Sequence, residues 1–509
     1  MFCFQCQETC RNTGCTVVGM CGKKPETAAL MDEIICKLKE LAISKNADIK
    51  SGPLVCESLY LTLTNTNFDD ERLKKQLNEI CKLFPANAHI PSGVRRDAGD
   101  DCNALSELLL YGLKGIAAYT WHACELGFED PDIYDFILRA LNASATENSA
   151  ESLWNLNKEC GNIALKAMAL LDTAHTDTFG VPVPTLVKTG VRNNPAILVS
   201  GHNLADLYEL LKATENSGID IYTHGEMLPA HAYPELKKFP HLVGNYGSSW
   251  HHQHTDFVNF NGPIVVTSNC LASIGDAYRN RIFTTGIAGD EDIQHIPDSV
   301  TGKQKDFTSV ISLARHLAPP TMLEDDFLVC GYGHDTLSKL SPRIIEEINT
   351  GNITRFILMA GCDGYQKSRE YYTILANNLP QDTIILTAGC AKYRFNNLKL
   401  GEIYGIPRVI DAGQCNDCYS LALFAMELKA ALKLDCVNKL PLSLDIAWFE
   451  QKAVAVLLAL LAAGLRNIRL GPTLPAFLSP GVIKVLQEKF GLKLISSTSE
   501  DMANMLKGA

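Results

Sequence analysis

The chain has 509 residues, 57 Asp and Glu against 46 Lys and Arg, and a formal net charge of −11. That balance argues against a nucleic-acid binder, which needs basic patches to meet the phosphate backbone. An apolar share of 46% beside 20% charged residues is that of a folded globular protein, and at roughly 100–200 residues per domain the length predicts about three domains.

The 18 cysteines are too dilute for a disulfide-stapled scaffold, which begins near roughly 8–10%. They are therefore core hydrophobes, nucleophiles or metal ligands, and position has to decide which. The opening MFCFQCQETC has no basic segment, apolar stretch or small-residue cleavage site of an export signal. The longest apolar run, 453–465, stops at Arg466, short of the ~20 residues of a spanning helix. A cytoplasmic protein with no membrane partner and no nucleic-acid partner is expected.

Residues 1–22 form a cysteine-rich head too interrupted by Gly and Thr for regular structure. Cys3, Cys6, Cys15 and Cys21 stand as Cys-x2-Cys-x8-Cys-x5-Cys, and Gly14, Gly19 and Gly22 let the chain loop back so that four thiolates converge. Four thiolates suit an iron–sulfur cluster or a structural zinc. From Pro25 to about Leu171 apolar residues recur at helical spacing, over 26–41, 70–83, 104–126 and 151–171, with caps expected at Asp69 or Asp70, at the turn Asp130-Pro131-Asp132, and at Thr146.

The texture changes after Thr185. Short β-branched runs now alternate with helical stretches: AILVSG (196–201), IDIYTHG (219–225), PIVVTSN (263–269), FLVCGYG (327–333), RFILMAG (355–361), TIILTAG (383–389) and PRVIDAG (407–413). This alternation predicts parallel-sheet α/β structure. The stretch 306–322, a helix and then Pro319-Pro320, separates two such sheets. The expected organisation is a helical bundle over 1–175, an α/β domain over 176–325 and a second over 326–509.

In open α/β sheets ligands bind beyond the carboxyl ends of the strands. Here those ends carry His202, Glu226, Cys270, Cys362, Cys390 and Cys415. A single Cys after a buried strand is ordinarily a small core residue, so the set carries the inference. Glycine precedes His202, Cys362 and Cys390, allowing backbone to approach something bulky. Four thiolates with an imidazole and a carboxylate exceed one tetrahedral zinc site and suit a mixed polynuclear iron cluster. Glu450 and Lys452, in WFEQK, begin a helix; two residues apart, they reach one place only if the chain is still entering the helix there.

These residues closely resemble the hybrid cluster protein family, also called prismane or hydroxylamine reductase. The blocks MFCFQCQET, SGHNL, THGEMLPAH, TSNC, AGCDG, AGCAKYRFN, AGQCND and WFEQKAV follow that family's motifs in order. The resemblance implies a helical domain and two α/β (Rossmann-like) domains, with a [4Fe–4S] cubane at the head and a hybrid [4Fe–2O–2S] cluster between the domains. It assigns Cys3, Cys6, Cys15 and Cys21 to the cubane, in the anaerobe-type spacing. It assigns His202, Glu226, Cys270, Cys362, Cys390, Cys415 and Glu450 to the hybrid cluster, with Cys362 carried as a persulfide. Lys452 stands beside the cluster, and with His202 it is a candidate for proton delivery or electrostatic stabilisation.

The activity implied is reduction of hydroxylamine to ammonia and water, fed by an electron-donor redox protein. Nitric oxide reduction to N2O, and a non-enzymatic nitrosative-stress sensor or protein S-nitrosylase, are the rival readings. The fold is also similar to the carbon monoxide dehydrogenases, but no second thiolate set for a nickel cluster is seen. Three departures from the pattern stand out. The stretch between about Lys82 and Asp101 is shortened. Cys10 and Cys418 are extra thiols, Cys418 being read as inert or supporting. The run His251, His252, Gln253, His254 is read as a solvated loop.

Overall fold

The computed structural model describes residues 1–44, 48–83, 94, 97, 99–298 and 304–508. The shortened stretch between Lys82 and Asp101 lies for the most part outside the described residues. Contacts group the chain into two compact units. The first comprises Met1–Ala174, Gly289–Glu291 and Trp448–Leu494; the second comprises His175–Ala288, Asp292–Ala447 and Ile495–Ala509. This grouping differs from a partition in chain order, because 448–494 leaves the C-terminal third for the helical unit, while the eight-stranded sheet falls wholly in the other unit.

The first unit is built on α1 (Pro25–Ile43), α2 (Gly52–Leu61), α3 (Asp70–Leu83), α4 (Asp101–Glu125), α5 (Pro131–Thr146) and α6 (Ala150–Phe179), which runs on into the second unit, together with α7 (Gln451–Ala462). Helix α4 is buried on nearly every face from Ala104 to Thr120, which marks it as the central rod. Helix α7, QKAVAVLLALLA, is likewise apolar all round and buried, so it must be surrounded, and it packs along α4. Gly115 permits this: a Cβ there would lie 2.6 Å from the Gln451 carbonyl oxygen and 2.7 Å from the Ala455 Cβ. That packing is the reason 448–494 joins the N-terminal helices.

Side-chain caps start these helices where donors are otherwise orphaned. Asp69 accepts from the Glu71 and Arg72 N–H groups, Asp100 from Asn103 and Asp130 from Asp132. Thr146 is not a cap: its hydroxyl bonds back to the Asn142 carbonyl inside α5, and Ser149 meets the Ser152 N–H at the start of α6. Helix α2, not among the expected periodic stretches, begins at Gly52-Pro53 and is buried against α4.

The second unit holds an eight-stranded sheet and a further set of four parallel strands. The first comprises β1 (Thr185–Lys188), β2 (Ala196–Ser200), β3 (Asp220–His224), β4 (Leu242–Asn245), β5 (Ile264–Val266), β6 (Ile282–Thr285), β7 (Gln294–Ile296) and β8 (Phe327–Cys330), in the order β8-β1-β4-β3-β2-β5-β6-β7. All pairs are parallel except β8 with β1. The 327–333 run thus closes the first sheet as an antiparallel edge instead of opening the second. Its register, from Phe327 against Lys188 to Cys330 against Thr185, covers the outer edge of β1.

The second sheet contains β9 (Arg355–Gly361), β10 (Thr383–Thr387), β11 (Val409–Asp411) and β12 (Leu442–Ala447), parallel in the order β11-β10-β9-β12 within this unit. Strand β12 escapes an apolar-run reading because Asp445 interrupts it. That buried carboxylate accepts from the Tyr371 hydroxyl at 2.9 Å, which makes the polar residue tolerable inside. Among the described residues no helix is long and apolar enough to cross a membrane.

Candidate metal centres

In the head, Cys3 and Cys15 face one another in an antiparallel bridge, with Cys15 N–H donating to the Cys3 carbonyl at 2.7 Å. Gly14 (φ 132°) and Gly22 (φ 89°) take the left-handed turns that bring the loop round, and Phe4 anchors it on Tyr111 and Phe477. Cys6, Cys3, Cys21 and Cys15 converge closely enough to act on one another. Burial pushes the Cys6 thiol well up, and Cys3, Cys21 and Cys15 push it further. Burial likewise raises the Cys21 thiol. Thiols so packed resist losing their protons, and a bound metal reverses that balance. The donor set fits a four-thiolate centre. Cys10 lies apart on the short turn Cys10–Asn12 and is half-buried.

At the carboxyl ends of the strands, His202, Glu226 and Cys415 present ligand atoms that all lie within 4.8 Å of one another. The His202 Nε2 stands 3.9 Å from the Glu226 carboxylate. Its other nitrogen, Nδ1, lies 2.9 Å from the Asn269 carbonyl oxygen. A carbonyl only accepts, so Nδ1 carries a proton, and in the neutral ring Nε2 is the nitrogen left to a metal. This is the tautomer a ligating histidine needs, held from behind. It also removes His202 as a mobile proton donor.

The remaining strand-end cysteines lie outside that group of three but within electrostatic reach of it. Burial pushes the Cys390 thiol well up, and Glu226, Cys270 and Cys362 each add to that. Cys390 opens the short turn Cys390–Arg394 after Gly389, where a φ of 85° and a Cβ that would lie 2.4 Å from the Gly361 carbonyl oxygen exclude a side chain. Cys418, the extra thiol, is buried beside Cys415; burial and then Cys415 raise it. Glu450 belongs to the first unit, as does Lys452. Glu450 is extended (φ −128°, ψ −174°) and caps α7, accepting from the Lys452 N–H at 2.7 Å, while the Lys452 ammonium lies 3.8 Å from its carboxylate. The chain is thus still entering the helix at this point.

Several supporting residues carry no signal in a one-dimensional pattern. Gln414 donates to the carbonyls of both His202 (3.0 Å) and Glu226 (2.8 Å), tying the loops after β2 and β3 to the Cys415 turn. Lys392 and Asp411 form a wholly buried ion pair at 2.6 Å beneath that turn, and Tyr393 donates to the Gly225 carbonyl. Near Lys452, His122 accepts from or donates to Tyr60 at 2.9 Å; burial first and then Lys452 lower its pKa to about 3.

The histidine run is not a solvated loop throughout. His252 and His254 are exposed, but the His251 side chain is turned inward, 2.7 Å from Ser249, which itself donates to Asp363, and Arg394 bonds both Asp363 and His251. Ser249, His251, His252, Asp363 and Arg394 line a cavity of about 390 Å³. Of the cysteines without a ligand role, Cys56, Cys160 and Cys330 are buried, Cys36, Cys102 and Cys124 are half-buried, and Cys81 and Cys436 are exposed.

A family model described as the Prismane/CO dehydrogenase family matches residues 1–503. Curated relatives named hydroxylamine reductase from Desulfitobacterium hafniense and Nitratidesulfovibrio vulgaris are each 48% identical, over 548 and 552 aligned residues, covering all of this chain and all of theirs. One from Chlorobaculum tepidum is 48% identical over 539, again at full coverage. Among solved structures, carbon monoxide dehydrogenase IV from Carboxydothermus hydrogenoformans shares the fold at a TM-score of 0.59 and 15% identity, covering 100% of this chain and 92% of that one. A structure of the alpha subunits of acetyl-CoA synthase/carbon monoxide dehydrogenase gives a TM-score of 0.61 at 15% identity, with 100% and 87% covered. With the strand-end donors in place and a match along almost its whole length, the chain belongs to the Prismane/CO dehydrogenase family.

Proposed function

We propose that this chain is an iron–sulfur oxidoreductase that reduces hydroxylamine to ammonia and water, using two electrons and two protons. The observation that carries this reading is the convergence of an imidazole, a carboxylate and a thiol within 4.8 Å at the strand ends, in a chain 48% identical over its full length to proteins named hydroxylamine reductase.

The same proposal assigns a [4Fe–4S] cluster to Cys3, Cys6, Cys15 and Cys21. It assigns a hybrid [4Fe–2O–2S] cluster to His202, Glu226, Cys270, Cys362, Cys390 and Cys415, with Glu450 as the seventh ligand and Cys362 as the persulfide. When bound, these groups supply electrons and a Lewis-acidic iron for the N–O bond. The protein's own part is to hold and orient. His202 offers only Nε2, because Asn269 occupies its Nδ1–H. Glu226 is aimed by the Cys415 N–H at 2.9 Å. Lys452, a buried ammonium held at the α7 start by its own chain, is the proposed proton donor. An electron-donor redox protein as partner, a cytoplasmic location and structural domains at 1–175, 176–325 and 326–509 belong to this reading, the last tested by limited proteolysis.

The test is product analysis on anaerobically purified protein. Ammonia formed in step with reductant consumed supports the reading. Rapid N2O from low nitric oxide with sluggish hydroxylamine turnover overturns the substrate, and stoichiometric nickel overturns the metal.

A further inference from the structure

Lysine 114 lies on α4 and is buried, with 3% of its surface exposed. Its ammonium donates to the Gln5 side-chain oxygen at 2.8 Å and to the Thr62 carbonyl at 3.2 Å, and it lies 5.6 Å from the centre of the Tyr111 ring. Gln5 stands between Cys3 and Cys6, so the ammonium is fastened to the loop that carries two of the head thiols. Both of its oxygen partners are neutral. Among the described residues no carboxylate lies within ion-pair distance of it; Asp32 and Glu107 act on it only from further off. Lys23, also 3% exposed, reaches Met31 sulfur at 3.0 Å and likewise has no carboxylate within ion-pair distance among the described residues.

A buried charge is retained only where it is paired or solvated by dipoles. Two lysines buried beside four thiols, with neutral partners, are a cationic wall without its anion. The Cys3 thiol is first among the groups that favour the charged form of Lys114, while burial, and then Lys23, pull its pKa down to about 7. Thiolates joined to a metal centre supply the missing negative charge at that place.

We infer that Lys114 is the buried counter-charge of the head centre and raises that centre's reduction potential. The inference rests on the reading of the head thiols as an iron–sulfur centre. Reduction adds negative charge, and a fixed cation at low dielectric favours the more negative state. Net charge and hydrogen bonding around the sulfurs are the levers by which a protein sets such potentials. No proton transfer is asked of Lys114; only its charge is used. It is a positioning residue for electron entry and touches no substrate.

The test is an EPR-monitored redox titration of the head centre in anaerobically purified holoprotein, comparing wild type with Lys114→Gln and Lys114→Arg. Glutamine keeps a donor toward Gln5 and removes the charge; arginine keeps the charge. Expected is a fall in the midpoint for Lys114→Gln, corresponding to at least a tenfold loss of reduced centre at a fixed potential, about 59 mV for one electron, with Lys114→Arg close to wild type. An unchanged midpoint in Lys114→Gln, or equal shifts in both variants, overturns the inference. If Lys114→Gln alone fails to assemble the centre while Lys114→Arg assembles it at the wild-type midpoint, the charge requirement stands; failure of both shows a packing role and overturns it. Absence of a head-centre signal in wild type instead removes the underlying reading of the thiols.

Discussion

The backbone N–H of Cys415 donates to the carboxylate of Glu226 at 2.9 Å, across 189 positions of sequence. One residue therefore brings a thiol to the strand-end centre and aims the carboxylate that shares it. Cys415 opens a short turn whose N-terminal end is closed by a capping box, the Gln414 N–H donating to the Asp417 carboxylate at 2.6 Å, which holds the Cys415 N–H in a fixed direction.

Replacing Glu226 by Gln keeps the shape and an acceptor for that N–H but removes the charge. The expected outcome is loss of the strand-end centre's EPR signal and a fall in hydroxylamine turnover of roughly 100-fold or more, since ligand loss exceeds the 10–100-fold typical of supporting residues. The head centre's signal stays. Persistence of both signals in this variant removes Glu226 from the ligand set.

The two thiols of Cys-Asn-Asp-Cys are expected to separate cleanly. Cys415→Ser loses strand-end iron, whereas Cys418→Ser retains its iron content and most of its activity. Cys418 lies buried at the start of the helix Cys418–Ala431 as a packing neighbour of Cys415. Iron analysis of the two variants decides the assignment; equal losses identify Cys418 as a ligand.

Gln414→Leu leaves two buried carbonyls, those of His202 and Glu226, without their shared donor. An unsatisfied buried polar group costs about 1–3 kcal/mol, so a lower urea midpoint is expected together with a roughly 10–100-fold loss in metal retention. Urea unfolding and iron retention under chelator measure the two effects separately.

Acid sensitivity follows from buried neutral histidines. Burial lowers the pKa of His231 to about 4, with a bond to the Gly244 backbone opposing it and Lys237 adding to it, and the ring meets the Thr223 hydroxyl at 2.9 Å. An unfolded histidine titrates near ~6.5. Between these values the unfolded chain binds the extra proton, so stability rises with pH across that window and is lost as pH falls from about 6.5 to 4. His231→Gln should flatten the slope by up to about 1.4 kcal/mol per pH unit. His251 and His122, lowered to about 4 and 3, keep the remaining slope from vanishing. Urea midpoints at a series of pH values check this, and an unaltered slope in the variant refutes it.

The candidate ligands were legible because each is a residue type with soft or ionisable chemistry at a repeated position, just past a buried apolar run. Pattern alone also located helices such as α1 and α3, but named no periodic stretch for α5. It failed where a polar residue sits inside, as at Asp445 in β12, or where a strand is too short and mixed, as in Gln294–Ile296. It failed again at Thr146, whose hydroxyl has a nearer acceptor in its own helix. His251 was misread because its inward turn depends on Ser249, Asp363 and Arg394, two of which lie more than 100 positions away.

By itself the sequence determined which donors this protein has and their order: four thiols in one short loop, and six ligand-type residues each following a strand. Local spacing and backbone freedom are enough for that. Only the tertiary structure decided that Asn269 fixes the His202 tautomer, that Cys415 aims Glu226, and that Lys114 meets the head loop through Gln5. Those relations depend on the direction of single N–H and C=O groups across long stretches of chain, and a direction in space has no trace in composition or period.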